Sequence, residues 1–122
     1  MQHLVLRWLI SCISLCLFWT IPCTSALYDS NGPVVLLSDK NWAEEVLNTK
    51  KVVVVEFFAP WCGHCKNLAP EYIKAAENLK GLVTLGAVDC DNENNRRLCG
   101  AYGIQGFPTI KLFPSQSIED EE

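Results

Sequence analysis

Cys62 and Cys65 flank Gly63-His64 in the segment Trp61-Cys62-Gly63-His64-Cys65. Two thiols at this spacing can close into one disulfide or act in turn on a foreign one. The apolar run Val52-Val53-Val54-Val55-Glu56-Phe57-Phe58 precedes them and a helical pattern follows, which sets the pair on a strand-to-helix turn. A zinc ribbon would build such a pair in a hairpin and normally add a second one, and the chain has no second Cys-x-x-Cys. The chemistry expected is therefore dithiol/disulfide exchange. At the start of a helix, unpaired backbone N–H groups favour a negative charge, so Cys62 is the expected nucleophile. Cys65, one turn further in, is the expected resolving thiol. A purely structural Cys62–Cys65 bond would close too short a ring to constrain much unfolded chain.

Three neighbours bear on these thiols. A partly protonated imidazole at His64 would favour thiolate over disulfide and make the pair more oxidising, unless His64 is an ordinary surface histidine. Trp61 is expected to shape the rim of the turn, although a packing role reads almost as well, and Gly63 completes the dipeptide between the sulfurs. Glu56 is a carboxylate in the middle of an apolar strand, six positions before Cys62. Buried, it would have a raised pKa and could accept the proton of Cys65 as general base; at a strand edge it would be solvated and inert.

Phe107-Pro108 precedes a final strand, where the proline suits either a simple turn or a cis peptide bond. Cys90 and Cys99 are expected to close a local disulfide contributing about 2–3 kcal/mol in the loop-entropy model, with a second redox pair as the sharper alternative. Four-cysteine zinc ligation has unsuitable spacing. Neither a metal nor a cofactor is called for.

The elements that position these residues can be read along the chain. Val34 to Leu37 is a short strand candidate. Ser38 is placed to cap a helix from about Asp39 to Asn48, with Trp42 and Val46 to Leu47 inward. Val52 to Phe58 lacks alternation except at Glu56 and predicts a central strand buried on both faces. Leu68, Ala69, Tyr72, Ile73, Ala76 and Leu79 recur at helical spacing from Cys65 to Gly81, with a kink expected at Pro70. Leu82 to Val88 predicts a strand, Asp91 to Tyr102 a polar helix, and Thr109 to Phe113 a last strand. The order implies an α/β fold with right-handed crossovers and a mainly parallel sheet flanked by helices.

With 122 residues there is room for one domain. Residues 1–26 have the features of a cleavable secretory signal: an early Arg7, an apolar stretch from Trp8 to Ile21, and Thr24-Ser25-Ala26 at the cleavage position. That stretch is shorter than the roughly 20 residues that span a bilayer, so no stable membrane insertion is expected. Its removal leaves Cys62, Cys65, Cys90 and Cys99, an even set that suits an oxidising compartment. It also takes the formal charge from −4 to −5 through loss of Arg7, the one charged residue in the segment. Residues 27–33 form a lead-in, 34–113 the domain, and 114–122 an acidic tail. No basic stripe interleaved with aromatics is present, which speaks against nucleic acid.

Phe57-Phe58-Ala59-Pro60-Trp61-Cys62-Gly63-His64-Cys65-Lys66, Ala69-Pro70-Glu71-Tyr72, Val88-Asp89-Cys90 and Tyr102-Gly103-Ile104-Gln105-Gly106-Phe107-Pro108-Thr109 together resemble a protein disulfide isomerase thioredoxin domain. The resemblance covers roughly Val34 to Phe113. The Leu27-Tyr28 start and the Cys90/Cys99 pair look most like the smaller endoplasmic-reticulum members of that family. It implies a thioredoxin-like fold, Cys62 as nucleophile, Cys65 as resolving thiol, Glu56 as buried proton acceptor, and Phe107 with a cis Pro108 at the substrate groove. It further implies oxidation, reduction and isomerisation of disulfides in unfolded or partly folded secretory proteins, exchange with redox partners, and residence in the endoplasmic-reticulum lumen. The chain departs from the family in three ways. Ala87 stands where many members place a lysine against the buried glutamate, so Glu56 is expected to lack that partner. The family's last edge strand and closing helix are missing, which makes a shortened, non-catalytic module that binds unfolded chains the alternative reading. No Lys-Asp-Glu-Leu-type retention signal ends the chain.

Overall fold

The computed structural model describes residues 26–116. The expected leader, apart from Ala26, and the tail from residue 117 onward lie outside the described residues. The elements are β1 (Val35–Leu36), a short π-helical segment called α1 (Ala43–Leu47), β2 (Val52–Phe58), α2 (Gly63–Asn78), β3 (Val83–Asp89), a 3₁₀ turn (Glu93–Asn95) running into α3 (Arg96–Ala101), and β4 (Thr109–Phe113). They build one four-stranded sheet in the order β1-β3-β2-β4.

β1, β3 and β2 run parallel, and β4 pairs antiparallel with β2. The expected parallel crossovers hold as far as β3, and the last step is different. The chain re-enters the sheet from the end it left, after the 3₁₀ turn, α3 and the loop that carries Phe107 and Pro108. β4 is the sheet edge among the described residues, with Ile110 and Leu112 exposed.

β2 lies between β3 and β4 and is covered on both faces, as its unbroken apolar character predicts. Side chains alternate across a strand. Val53, Val55 and Phe57 accordingly face a core shared with Trp42, Val46, Leu98 and Cys99. The intervening positions face the opposite core, where Val54 and Phe58 pack with Cys65, Ala69, Tyr72 and Ala76 of α2. This alternation sends Glu56 towards α2.

Two helices are shorter than the sequence predicts. The Ser38 N–H donates to Asn41 Oδ1 at 2.8 Å and Asn41 Nδ2 donates to Leu36 O at 2.9 Å. These side-chain bonds tie residues 38–41 into a turn, as Asn and Ser side chains do when they compete with helix formation. Regular winding is left to Ala43–Leu47, which closes with Asn48 N–H donating to Ala43 O at 2.8 Å. Trp42 and Val46 are buried as expected, whereas Leu47 points outward. The expected helix from Asp91 to Tyr102 is likewise divided, because the Asn92 side chain accepts from Asn94 N–H at 3.0 Å and caps the 3₁₀ turn ahead of α3.

α2 begins two residues earlier than its apolar spacing indicates and continues through Pro70. The Tyr72 hydroxyl lies 2.8 Å from Gly86 O and 3.0 Å from Val54 O, fastening α2 to β3 and β2. Gly86 lies close under Leu37: a Cβ there would meet Leu37 Cδ1 at 2.4 Å and push that side chain aside.

Candidate active site

Cys62 is the N-cap of α2, with extended backbone (φ −74°, ψ 119°), and its sulfur accepts the Cys65 N–H at 3.4 Å. A thiol thus does the work usually given to a serine or aspartate oxygen at a helix start. Both cysteines are reduced and buried, Cys62 retaining 7% exposure and Cys65 none. The Cys62 thiol is held below its ordinary value, chiefly by the Cys65 thiol donating to it, then by the backbone N–H groups of Cys65 and His64. Burial and the hydrogen bond it gives to Cys62 push Cys65 up to about 11. The environment thus sets the two sulfurs apart in acidity, Cys62 below the ordinary thiol and Cys65 above it. The Cys62 thiol also lies 3.6 Å from the carbonyl oxygen of Phe107.

Glu56 is wholly buried, which selects the buried alternative over the solvated one. Burial raises its pKa. Its charged form in turn pushes up both Cys62 and Cys65, so carboxylate and thiols share one electrostatic environment. Oε1 of Glu56 has no hydrogen-bond partner among the described residues.

Glu56 does not lack a partner. The Tyr28 hydroxyl donates to Oε2, both side chains being buried, and this bond opposes the effect of burial on the carboxyl. In β3, Ala87 lies directly beside Glu56 in register and offers no polar group. Tyr28 packs edge-on against Phe58 at 5.4 Å between ring centroids. No periodicity or motif ties Tyr28 to a residue 28 positions later, so spacing could not identify the contact. The one signal was a buried strand carboxylate in need of a donor.

Trp61 is 64% exposed and meets Phe107 edge-on at 5.9 Å, so the two rings form an apolar lip beside Cys62. The Phe107–Pro108 peptide bond is cis. His64 is exposed on the first turn of α2, and its backbone N–H is among the groups that lower the Cys62 pKa. Gly63 is also exposed, and a Cβ there would meet nothing within 4 Å. Cys90 and Cys99 are joined in a disulfide that fastens the end of β3 to α3, apart from the Cys62/Cys65 turn in the opposite core.

Similarity to known proteins follows the same geometry. A thioredoxin family profile matches residues 33–122. Protein disulfide-isomerase 2-3 of Arabidopsis thaliana is 49% identical over 105 residues, covering 86% of this chain and 23% of that protein. Protein disulfide-isomerase A6 of Homo sapiens is 47% identical over 98 residues, covering 80% and 22%. Among solved structures, the Trx4 domain of ERdj5 superposes with a TM-score of 0.65 at 36% identity, over 72% of this chain and 75% of that one. The chain spans about a quarter of the length of the curated relatives it matches.

Proposed function

The chain belongs to the thioredoxin family, and on that premise we propose that it is a protein thiol-disulfide oxidoreductase of the protein disulfide isomerase kind, acting by exchange through Cys62 and Cys65. The observation that carries this reading is the pair itself: a low-pKa thiol capping α2, a high-pKa thiol one turn behind it, and an apolar lip of Trp61 and Phe107 in front.

The Cys62 thiolate attacks one sulfur of a substrate disulfide, forming a mixed disulfide and expelling the other sulfur as thiolate. Cys65 then loses its proton and attacks the Cys62 sulfur. The protein disulfide forms, the mixed one breaks, and the substrate leaves as a dithiol. The substrate gains two electrons that the protein loses, and no cofactor takes part. Run backwards, the same steps oxidise a substrate dithiol. Stabilising the Cys62 thiolate favours the reduced protein and so the donation of disulfides.

Glu56 is the acceptor for the Cys65 proton. Buried charge is expensive, and transfer from Cys65 to Glu56 moves one negative charge between neighbouring groups without adding a second. Substrates are unfolded or partly folded secretory proteins that lay an apolar segment on Trp61, Phe107 and Pro108, with electrons exchanged with redox partners of the endoplasmic-reticulum lumen. The Cys90–Cys99 disulfide suits such an oxidising compartment.

A second reading, polypeptide binding without turnover, draws on Ile110 and Leu112, exposed on the β4 edge. Insulin reduction and recovery of scrambled ribonuclease, measured with the chain and with Cys62→Ser, decide between them. Turnover lost in the variant supports exchange chemistry. Unchanged capture of unfolded protein, with no turnover by either form, supports the binding module.

A further inference from the structure

We propose that Tyr28 is the positioning residue of the proton acceptor: its hydroxyl holds Oε2 of Glu56 and thereby leaves Oε1 as the one free oxygen that receives the Cys65 proton. This inference rests on the exchange reading above and extends it to a residue in the lead-in before β1.

The geometry leaves Tyr28 little competition. The strand neighbours of Glu56 in register are Ala87 on β3 and Ile110 on β4, neither able to donate a side-chain hydrogen bond. The titratable groups whose interaction with Glu56 is felt are Tyr28 from the lead-in and Cys62, Cys65 and Tyr72 from α2. Tyr72 is engaged elsewhere, its hydroxyl lying between Gly86 O and Val54 O. Tyr28 donates to Glu56, both residues are almost wholly enclosed, and Oε1 is left without a partner.

A buried carboxyl with two equivalent oxygens can rotate and accept a proton on either. One held at Oε2 presents the other in a fixed direction. The donor also favours the charged carboxylate, the form able to accept a proton. Tyr28 therefore does for Glu56 what the backbone N–H of Cys65 does for Cys62: it keeps the reacting group in its reactive protonation state.

The test uses Tyr28→Phe, which keeps the ring and its contact with Phe58 and removes only the donor. The reduced chain is mixed with glutathione disulfide. Formation of the mixed disulfide on Cys62 and its resolution by Cys65 are timed separately across pH, for the unsubstituted protein, Tyr28→Phe, Glu56→Gln and the double variant. Without the donor the Glu56 pKa rises, so the pH midpoint of resolution moves up by about one unit, slowing that step roughly tenfold on the acid side. Attack by Cys62 is not slowed, because less charge on Glu56 can only lower the Cys62 pKa, and the double variant behaves as Glu56→Gln does alone.

A Tyr28→Phe profile that overlays the unsubstituted one, while Glu56→Gln is slow, overturns the role of Tyr28 and spares that of Glu56. Normal resolution in Glu56→Gln overturns both. A second measurement requires no substitution at Tyr28: in the unsubstituted protein the Tyr28 hydroxyl proton gives a slowly exchanging, downfield NMR signal that follows the titration of Glu56. Its absence overturns the proposal even where Tyr28→Phe fails to fold.

Discussion

The Cys62 sulfur accepts the backbone N–H of Cys65 at 3.4 Å, so the residue expected to resolve the mixed disulfide also stabilises the thiolate that forms it. Both effects come from one helix start. The N-cap position gives Cys62 its donors, and the first turn buries Cys65 against β2.

Alkylation should separate the two sulfurs. With iodoacetamide, Cys62 is expected to react with a midpoint below the ordinary thiol range and Cys65 only as pH approaches about 11. Mass spectrometry at pH 7 should show one alkyl group, on Cys62. Equal labelling of both sites would contradict the separation. In Cys62→Ala, which leaves no side-chain acceptor at this position, loss of the hydrogen bond from the Cys65 thiol should bring the Cys65 midpoint down, since that bond is one of the causes holding it up.

Glu56 gives the fold a pH dependence of definite sign. Its carboxyl pKa is higher in the folded chain than in the unfolded one because burial opposes ionisation. Between those two values the folded state holds the proton and the unfolded state has released it. Raising pH through this window therefore lowers stability. Glu56→Gln, which cannot ionise, should melt at a temperature less dependent on pH, with its advantage over the unsubstituted protein growing from pH 5 to pH 8. Thermal melts at both pH values check this; a gap that narrows as pH rises would contradict it.

What the sequence made legible was set by local physics. β2 and β4 occupy the residues predicted for them, because a strand of β-branched and aromatic residues admits little else. The thiol pair fell on its strand-to-helix turn, where the change from an apolar run to helical spacing placed it. α1 was overextended because Asn41 turns back to Ser38 and Leu36, a side-chain competition that apolar periodicity does not register. Tyr28 was missed for another reason. Its contact with Glu56 joins residues distant in the chain, and such contacts arise only once the sheet and α2 have closed over them.

The Cys90–Cys99 disulfide closes a loop at a sequence separation of 9 and lies in the core opposite Cys65. Removing it with Cys90→Ala and Cys99→Ala together should cost about 2–3 kcal/mol by loss of the loop constraint. For a domain of this size that is roughly 10–20 °C in melting temperature. The Cys62 alkylation profile should stay in place, since none of the groups that set it belongs to α3. A shifted profile would show that the disulfide communicates with the active turn, and an unchanged melt would show that the loop is held by packing alone.

Trp61 should matter for substrate engagement and little for the fold. It is 64% exposed, and its ring contact among the described residues is with Phe107 on the other side of the active turn. Trp61→Ala removes a large apolar surface from the place where a polypeptide must lie to bring its disulfide to Cys62. The melting temperature should remain within about 4 °C, as expected for an exposed position contributing no more than about 0.5 kcal/mol. KM for reduction of a protein substrate should rise several-fold, while reaction with glutathione disulfide, too small to use the lip, stays unchanged. Equal losses with both substrates would instead assign Trp61 to the reactivity of Cys62. A large fall in melting temperature would assign it to packing.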